Sequence, residues 1–170
     1  ENDKSEAQIS LIISRVRNKS AVVTADRGPA GGITAINGDG VELTECQSFG
    51  SVNSSEGFAG GIAAENYGTI SNCTVKKAAE ALVIESKGKN EIGVICAVNH
   101  ENAVIAGSLP GEGVMLKGQA VTVGGVAGVY RGLISGSSAA AGSSSGGMTV
   151  PGINMDFDKL AVGGVAGQNQ

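Results

Sequence analysis

A seven-residue segment recurs five times along this 170-residue chain. It reads GGITAIN at 31–37, GGIAAEN at 60–66, GVICAVN at 93–99, GGVAGVY at 124–130 and GGVAGQN at 163–169. Successive copies start 29, 33, 31 and 39 residues apart. Self-similarity at a period of roughly 20–50 residues marks a solenoid, a propeller or an array, because each unit is too small to bury an apolar face alone.

Each unit opens with the seven-residue segment, read here as a strand. A tight turn and a second short strand follow: VELTEC at 41–46, TISNC at 69–73, AVIAGS at 103–108 and LISGS at 133–137. A third apolar stretch closes the unit: GFA, NEI, VTV or LAV, just before the next copy. Three short strands and three turns describe one coil of a triangular solenoid. The expected fold is therefore all-β, a right-handed parallel β-helix with about one coil per 29–39-residue repeat. The hand follows from the strong preference of parallel crossovers. Coils about 4.8 Å apart would build a rod roughly 20 Å long.

Stacked coils place equivalent residues in columns. Ile33, Ile62, Ile95, Val126 and Val165 form an aliphatic column assigned to the interior. Ala35, Ala64, Ala97, Gly128 and Gly167 share its parity. Asn37, Asn66, Asn99 and Asn169 form a polar column broken by Tyr130. Asparagine tolerates left-handed backbone at a sharp corner, and stacked amides bond along a column. This column reads as a structural corner rather than a ligand site. Cys46, Cys73, Ser108 and Ser137 align in another column.

Residues 1–30 carry no copy of the segment. The apolar stretches at 8–16 and 21–25 read as strands of an irregular N-terminal coil or cap. Residues 31–170 form the repeat region, with an inserted loop at about 137–159. The chain starts at Glu1 and stops on the fifth copy, as expected of a piece of a longer protein.

Composition agrees with thin, regular layers. Glycine accounts for 28 residues, aromatics for 3%, and tryptophan is absent. Such a core must be built from Val, Ile, Ala and Leu. Lys and Arg total 12 against 16 acids, for a net charge of -4. Phosphate binding needs a basic surface, so nucleic acid is not an expected partner. No apolar run reaches the 18 residues of a spanning helix, so no membrane insertion is expected. Three cysteines without a CxxC pair and a single histidine make no zinc pattern, and no metal or cofactor is expected.

The segments GGIAAENYGTISNC at 60–73, GGVAGVYRGLISGS at 124–137 and GGVAGQN at 163–169 resemble the GLUG repeat. That glycine-rich unit occurs in tandem in bacterial surface and secreted proteins, including adhesin-like proteins and immunoglobulin A peptidases. The resemblance runs from Gly31 to the C-terminus, and the third unit departs from it. It implies a cell-surface repeat region with a structural or binding role, and it brings no catalytic residues.

Candidate chemistry is sparse. Glycoside hydrolysis needs two carboxylates facing one groove, whereas the acids here are scattered and Asp156 and Asp158 share a strand face without a nearby base. The NGDG at 37–40 lacks the full calcium-loop pattern. Cys46 and Cys73 stack on adjacent coils, but parallel Cβ atoms about 4.8 Å apart exceed disulfide geometry, so free buried thiols are expected. His100 follows Asn99 at a corner with no evident partner.

Insertions in solenoids map to one face, often the binding face. In the loop at 137–159, Met148, Met155 and Phe157 are the apolar candidates for ligand binding, with Asp156 and Asp158 beside them. The expected function is non-catalytic: an extracellular, cell-surface or secreted module acting as stalk, spacer or adhesin. The alternative is an accessory domain of a secreted peptidase or glycan-active enzyme. A host protein or a glycan is the expected partner class, and open coil ends offer a surface for end-to-end self-association.

Overall fold

The computed structural model describes residues 10–78, 80, 82–88, 90–111, 113–118, 122–137 and 161–170. Among them every regular element is a strand. The first coil comprises β1 (Leu11–Ser14), β2 (Arg17–Asn18), β3 (Val23–Ala25), β4 (Ala30–Gly31) and β5 (Thr34–Asn37). The second comprises β6 (Val41–Thr44), β7 (Gln47–Ser48), β8 (Val52–Ser54), β9 (Ala59–Gly60) and β10 (Ala63–Asn66). The third comprises β11 (Thr69–Ser71), β12 (Thr74–Val75), β13 (Leu82–Ser86), β14 (Glu91–Gly93) and β15 (Cys96–Asn99). The fourth comprises β16 (Val104–Ala106), β17 (Leu109–Pro110), β18 (Val114–Gly118), β19 (Thr122–Gly124) and β20 (Ala127–Tyr130). A further coil contributes β21 (Leu133–Ser135), β22 (Ala161–Gly163) and β23 (Ala166–Asn169).

Each strand pairs in parallel with its counterpart one coil away. The result is a β-solenoid whose sides are five narrow sheets. The sequence reading of three strands per coil is corrected to five. The seven-residue segment is not one strand; it bends at its second and third residues and splits into β4 and β5, or their equivalents.

The bend has one geometry in every coil. The N–H groups of Ile33 and Thr34 both donate to the Ile62 carbonyl, at 3.0 and 3.1 Å. Ile62 and Ala63 share the Ile95 carbonyl, Ile95 and Cys96 that of Val126, and Val126 and Ala127 that of Val165. The turn brings the carbonyl of the fourth segment residue against the α-carbon of the first. A Cβ at Gly31, Gly60, Gly93 or Gly124 would collide with that oxygen, and this contact is why the first position is always glycine.

The interior is a set of aliphatic columns. Leu43, Ile70 and Ile105 stack in register, flanked by Ile13 and Ile134. Val52, Ile84 and Leu116 form a second column, and Ala59, Ile92 and Val123 a third. Ile62, Ile95 and Val126 are fully buried and Ile33 packs against them, while Val165 in the last coil is 41% exposed. Ala64, Ala97 and Gly128 are buried too, whereas Ala35 is exposed.

The ladder asparagines are not themselves the left-handed residues that the sequence suggested. Asn37, Asn66 and Asn99 remain in extended strands. Arg15, Glu45, Asn72, Gly107 and Gly136 carry φ between 51° and 58° and occupy one corner in successive coils. The N–H of Arg15, Glu45, Asn72 and Gly107 each donates to the next coil, to Thr44, Ser71, Ala106 and Ser135. The turn at that corner demands this conformation whatever side chain is present.

Candidate functional site

The polar column expected at the segment's end exists and is buried. Asn37 donates its side-chain N–H to Asn66 Oδ1, and Asn66 donates to Asn99 Oδ1, each at 2.7 Å. The spare amide protons turn to main-chain carbonyls: Val41 and Thr69 for Asn37, Val104 for Asn66 and Ala103 for Asn99. Tyr130 interrupts the ladder, and Asn169 above it is exposed.

The cysteine and serine column is a second ladder. Each thiol or hydroxyl folds back across the left-handed residue onto the carbonyl two positions earlier. Cys46 reaches Thr44 at 3.4 Å, Cys73 reaches Ser71 at 3.3 Å, and Ser108 and Ser137 reach Ala106 and Ser135 at 3.2 Å. The serine oxygens also accept the N–H of Cys73 and of Ser108 from the neighbouring coil. Cys46, Cys73 and Cys96 are free and buried. Burial pushes the Cys73 thiol up to about 12 and raises Cys96 further. Neither is a nucleophile near neutral pH.

The outward residues after the asparagines make a third column, which the sequence reading missed. Tyr67, His100, Arg131 and Gln170 each donate a backbone N–H to the preceding ladder position of the coil below. Tyr67 and His100 stack with centroids 3.9 Å apart and planes 7° from parallel. His100 Nε2 lies 2.9 Å from Glu65 Oε2, and the Tyr67 hydroxyl donates to the same oxygen at 3.2 Å. The expectation of a partnerless histidine is thus corrected. The signal was present as ENY at 65–67 and VNH at 98–100, in one register. Arg131 continues the column by donating twice to Gln170 Oε1.

Electrostatics knit this face together. Desolvation, followed by the Glu65 charge, holds the Tyr67 hydroxyl above its ordinary value. Burial raises the Glu91 carboxyl, Glu65 adds to the rise, and the Glu91 backbone and Arg131 oppose it. The imidazole has Nε2 engaged by Glu65 and one face covered by Tyr67. This arrangement clamps adjacent coils.

The corner that carries the third column alternates in length. Four residues, 38–41, separate Asn37 from Glu42, and four residues, 100–103, separate Asn99 from Val104. Only Tyr67 and Gly68 separate Asn66 from Thr69, and only Arg131 and Gly132 separate Tyr130 from Leu133. Both long corners close with the same turn, Val41 donating to Gly38 and Ala103 to His100 at 3.2 Å, with Gly40 and Asn102 left-handed. Each short corner nests on a long one. A Cβ on Gly68 would strike the carbonyls of Gly38 and Val41, and one on Gly132 those of His100 and Ala103.

A short corner between two long ones leaves a notch. An opening of about 230 Å³ lies there, lined by Asp39, Gly40 and Glu42 on one side, Asn102 on the other, Tyr67 and Thr69 within, and Ser10 at the rim. One oxygen of Glu42 accepts from Ser71 at 2.9 Å, and Asp39 Oδ1 accepts the Gly40 N–H. The ligand-binding candidates of the inserted loop, Met148, Met155, Asp156, Phe157 and Asp158, lie outside the described residues.

No family model matches the chain, and neither does any curated protein or solved structure.

Proposed function

We propose that this chain is a non-catalytic module of GLUG-like repeats, displayed outside the cell, that acts as a stalk or spacer. The observation that carries the reading is the continuity of columns from coil to coil. Parallel pairing on every side, the shared-carbonyl bends and the buried asparagine ladder all run along one axis. Bonds of this kind resist bending and fix a length. A solenoid whose units contact only their neighbours adds length in proportion to coil number. Nothing in that role needs a reactive side chain, and the buried thiols and the engaged histidine fit it.

The test places one, two or three copies of the full chain between a cell-surface anchor and a fluorescent reporter. Each copy should lift the reporter by roughly 20 Å, the rise of four to five coils. A reporter height independent of copy number overturns the reading.

A further inference from the structure

We propose that the notch floored by Tyr67 is a subsite for a single neutral pyranose sugar, held against the free face of the tyrosine ring. This goes beyond the spacer reading, which stands or falls on reporter height alone.

The ring is a prepared platform. His100 covers one face at 3.9 Å, and the hydroxyl is tethered to Glu65. The position below Tyr67 in the same column belongs to the Asn37 coil, through the Tyr67 N–H to Asn37 carbonyl bond at 2.8 Å. That position is Gly38, so no side chain from it covers the second face. Tyr67 is 40% exposed in consequence. An immobilised aromatic face loses little freedom on binding. Its negative π-face suits the weakly positive C–H groups on one side of a pyranose ring.

The walls supply the polar half of the recognition. Asp39 and Glu42 accept hydroxyl protons, while Asn102 and Thr69 both donate and accept. Ser71 engages one Glu42 oxygen and leaves the other for a ligand. Two carboxylates on one wall repel uronic and sialic acids, which selects neutral sugars. An opening of about 230 Å³ lies below the usual range for drug-sized ligands and suits one ring.

The experiment titrates the full chain with the methyl glycosides of glucose, galactose, mannose and N-acetylglucosamine, read by saturation-transfer NMR. Methyl glucuronoside is the charged control. At least one neutral glycoside should bind in the millimolar range, with saturation concentrated on ring C–H protons. Tyr67→Ala should weaken binding roughly tenfold, the loss expected for one aromatic contact. Gly38→Leu tests the same point without touching the platform. Its Cβ would meet nothing closer than Val41 Cγ2 at 3.7 Å, so the fold should persist by circular dichroism while the added side chain competes for the second face of the Tyr67 ring. Glu42→Gln keeps the acceptor for Ser71 and should narrow the preference over the glucuronoside. Absence of binding by all four glycosides overturns the proposal. So does binding unchanged by both Tyr67→Ala and Gly38→Leu, or a glucuronoside bound as well as the neutral sugars.

Discussion

Asn66 donates its side-chain amide to Asn99 Oδ1 at 2.7 Å inside the solenoid, with both residues fully buried. Replacing Asn66 with leucine removes the donor to Asn99 and strips Asn37 of one acceptor. Asn37 keeps two main-chain carbonyls, at Val41 and Thr69. Asn99 Oδ1 loses its side-chain donor in a dry environment. A buried unsatisfied group costs about 1–3 kcal/mol, so urea denaturation should show Asn66→Leu destabilised by ~2 kcal/mol or more. A change under ~0.5 kcal/mol would show that the ladder contributes no stability.

The thiol ladder predicts an asymmetry between two conservative changes at Cys73. Serine restores the fold-back bond to Ser71, as Ser108 and Ser137 do in later coils. Alanine cannot, and leaves a small void. Cys73→Ser should stay within ~1 kcal/mol of the parent while Cys73→Ala loses ~1–2 kcal/mol. In the parent, a thiol reagent should label Cys46, Cys73 and Cys96 only on unfolding, since all three are buried and burial holds Cys73 at about 12. Rapid labelling of the native chain at neutral pH would contradict the burial.

At the left-handed corner, Glu45 adopts φ 54° where the last two coils use Gly107 and Gly136. A non-glycine residue is strained there, by about 1–2 kcal/mol, and glycine carries an unfolded-state entropy penalty of about half that. The ion pair between Glu45 and Arg15 at 2.8 Å is solvent-exposed and contributes little. Glu45→Gly should therefore raise stability by ~0.5–1 kcal/mol in thermal or urea melts. Destabilisation would mean that the side chain matters more than the backbone.

Glu91 predicts a pH dependence with a definite sign. Its folded value is raised above the ordinary 4.5, first by burial and then by Glu65. The fold thus favours the protonated carboxyl. That stabilising contribution is complete below 4.5 and is lost as pH rises through the raised value. Glu91→Gln should be more stable than the parent at neutral pH, and the advantage should shrink on acidification. A difference between the two proteins that does not vary with pH would refute this.

Much of the fold is legible because columns repeat residue types. The Ile and Val at the third segment position, the asparagines at the seventh and the cysteine and serine column all share chemistry across coils. Two strands per coil were illegible for physical reasons. β7, β12 and β17 are two residues long, reading QS, TV and LP, too short for any alternation to show. β8, β13 and β18 carry the aligned Val52, Ile84 and Leu116, but the spacer from β12 to β13 is longer than that from β7 to β8 and shifts the phase. The left-handed corner reads R, E, N, G and G, because the turn fixes a backbone and not a side chain. For the notch, NGDGV against NYG already held the difference in corner length. What the sequence does not reveal is that a four-residue and a two-residue corner nest.

That nesting makes the pair of coils, not the single coil, the natural increment of growth. Gly68 sits on the Gly38 and Val41 carbonyls, and Gly132 sits the same way on those of His100 and Ala103. Duplicating one coil would set wide corner on wide corner or narrow on narrow, and one interlock would be lost. Duplicating two preserves every interlock and copies the recess along with it. A longer array of this design would carry evenly spaced recesses along one edge, every second rung.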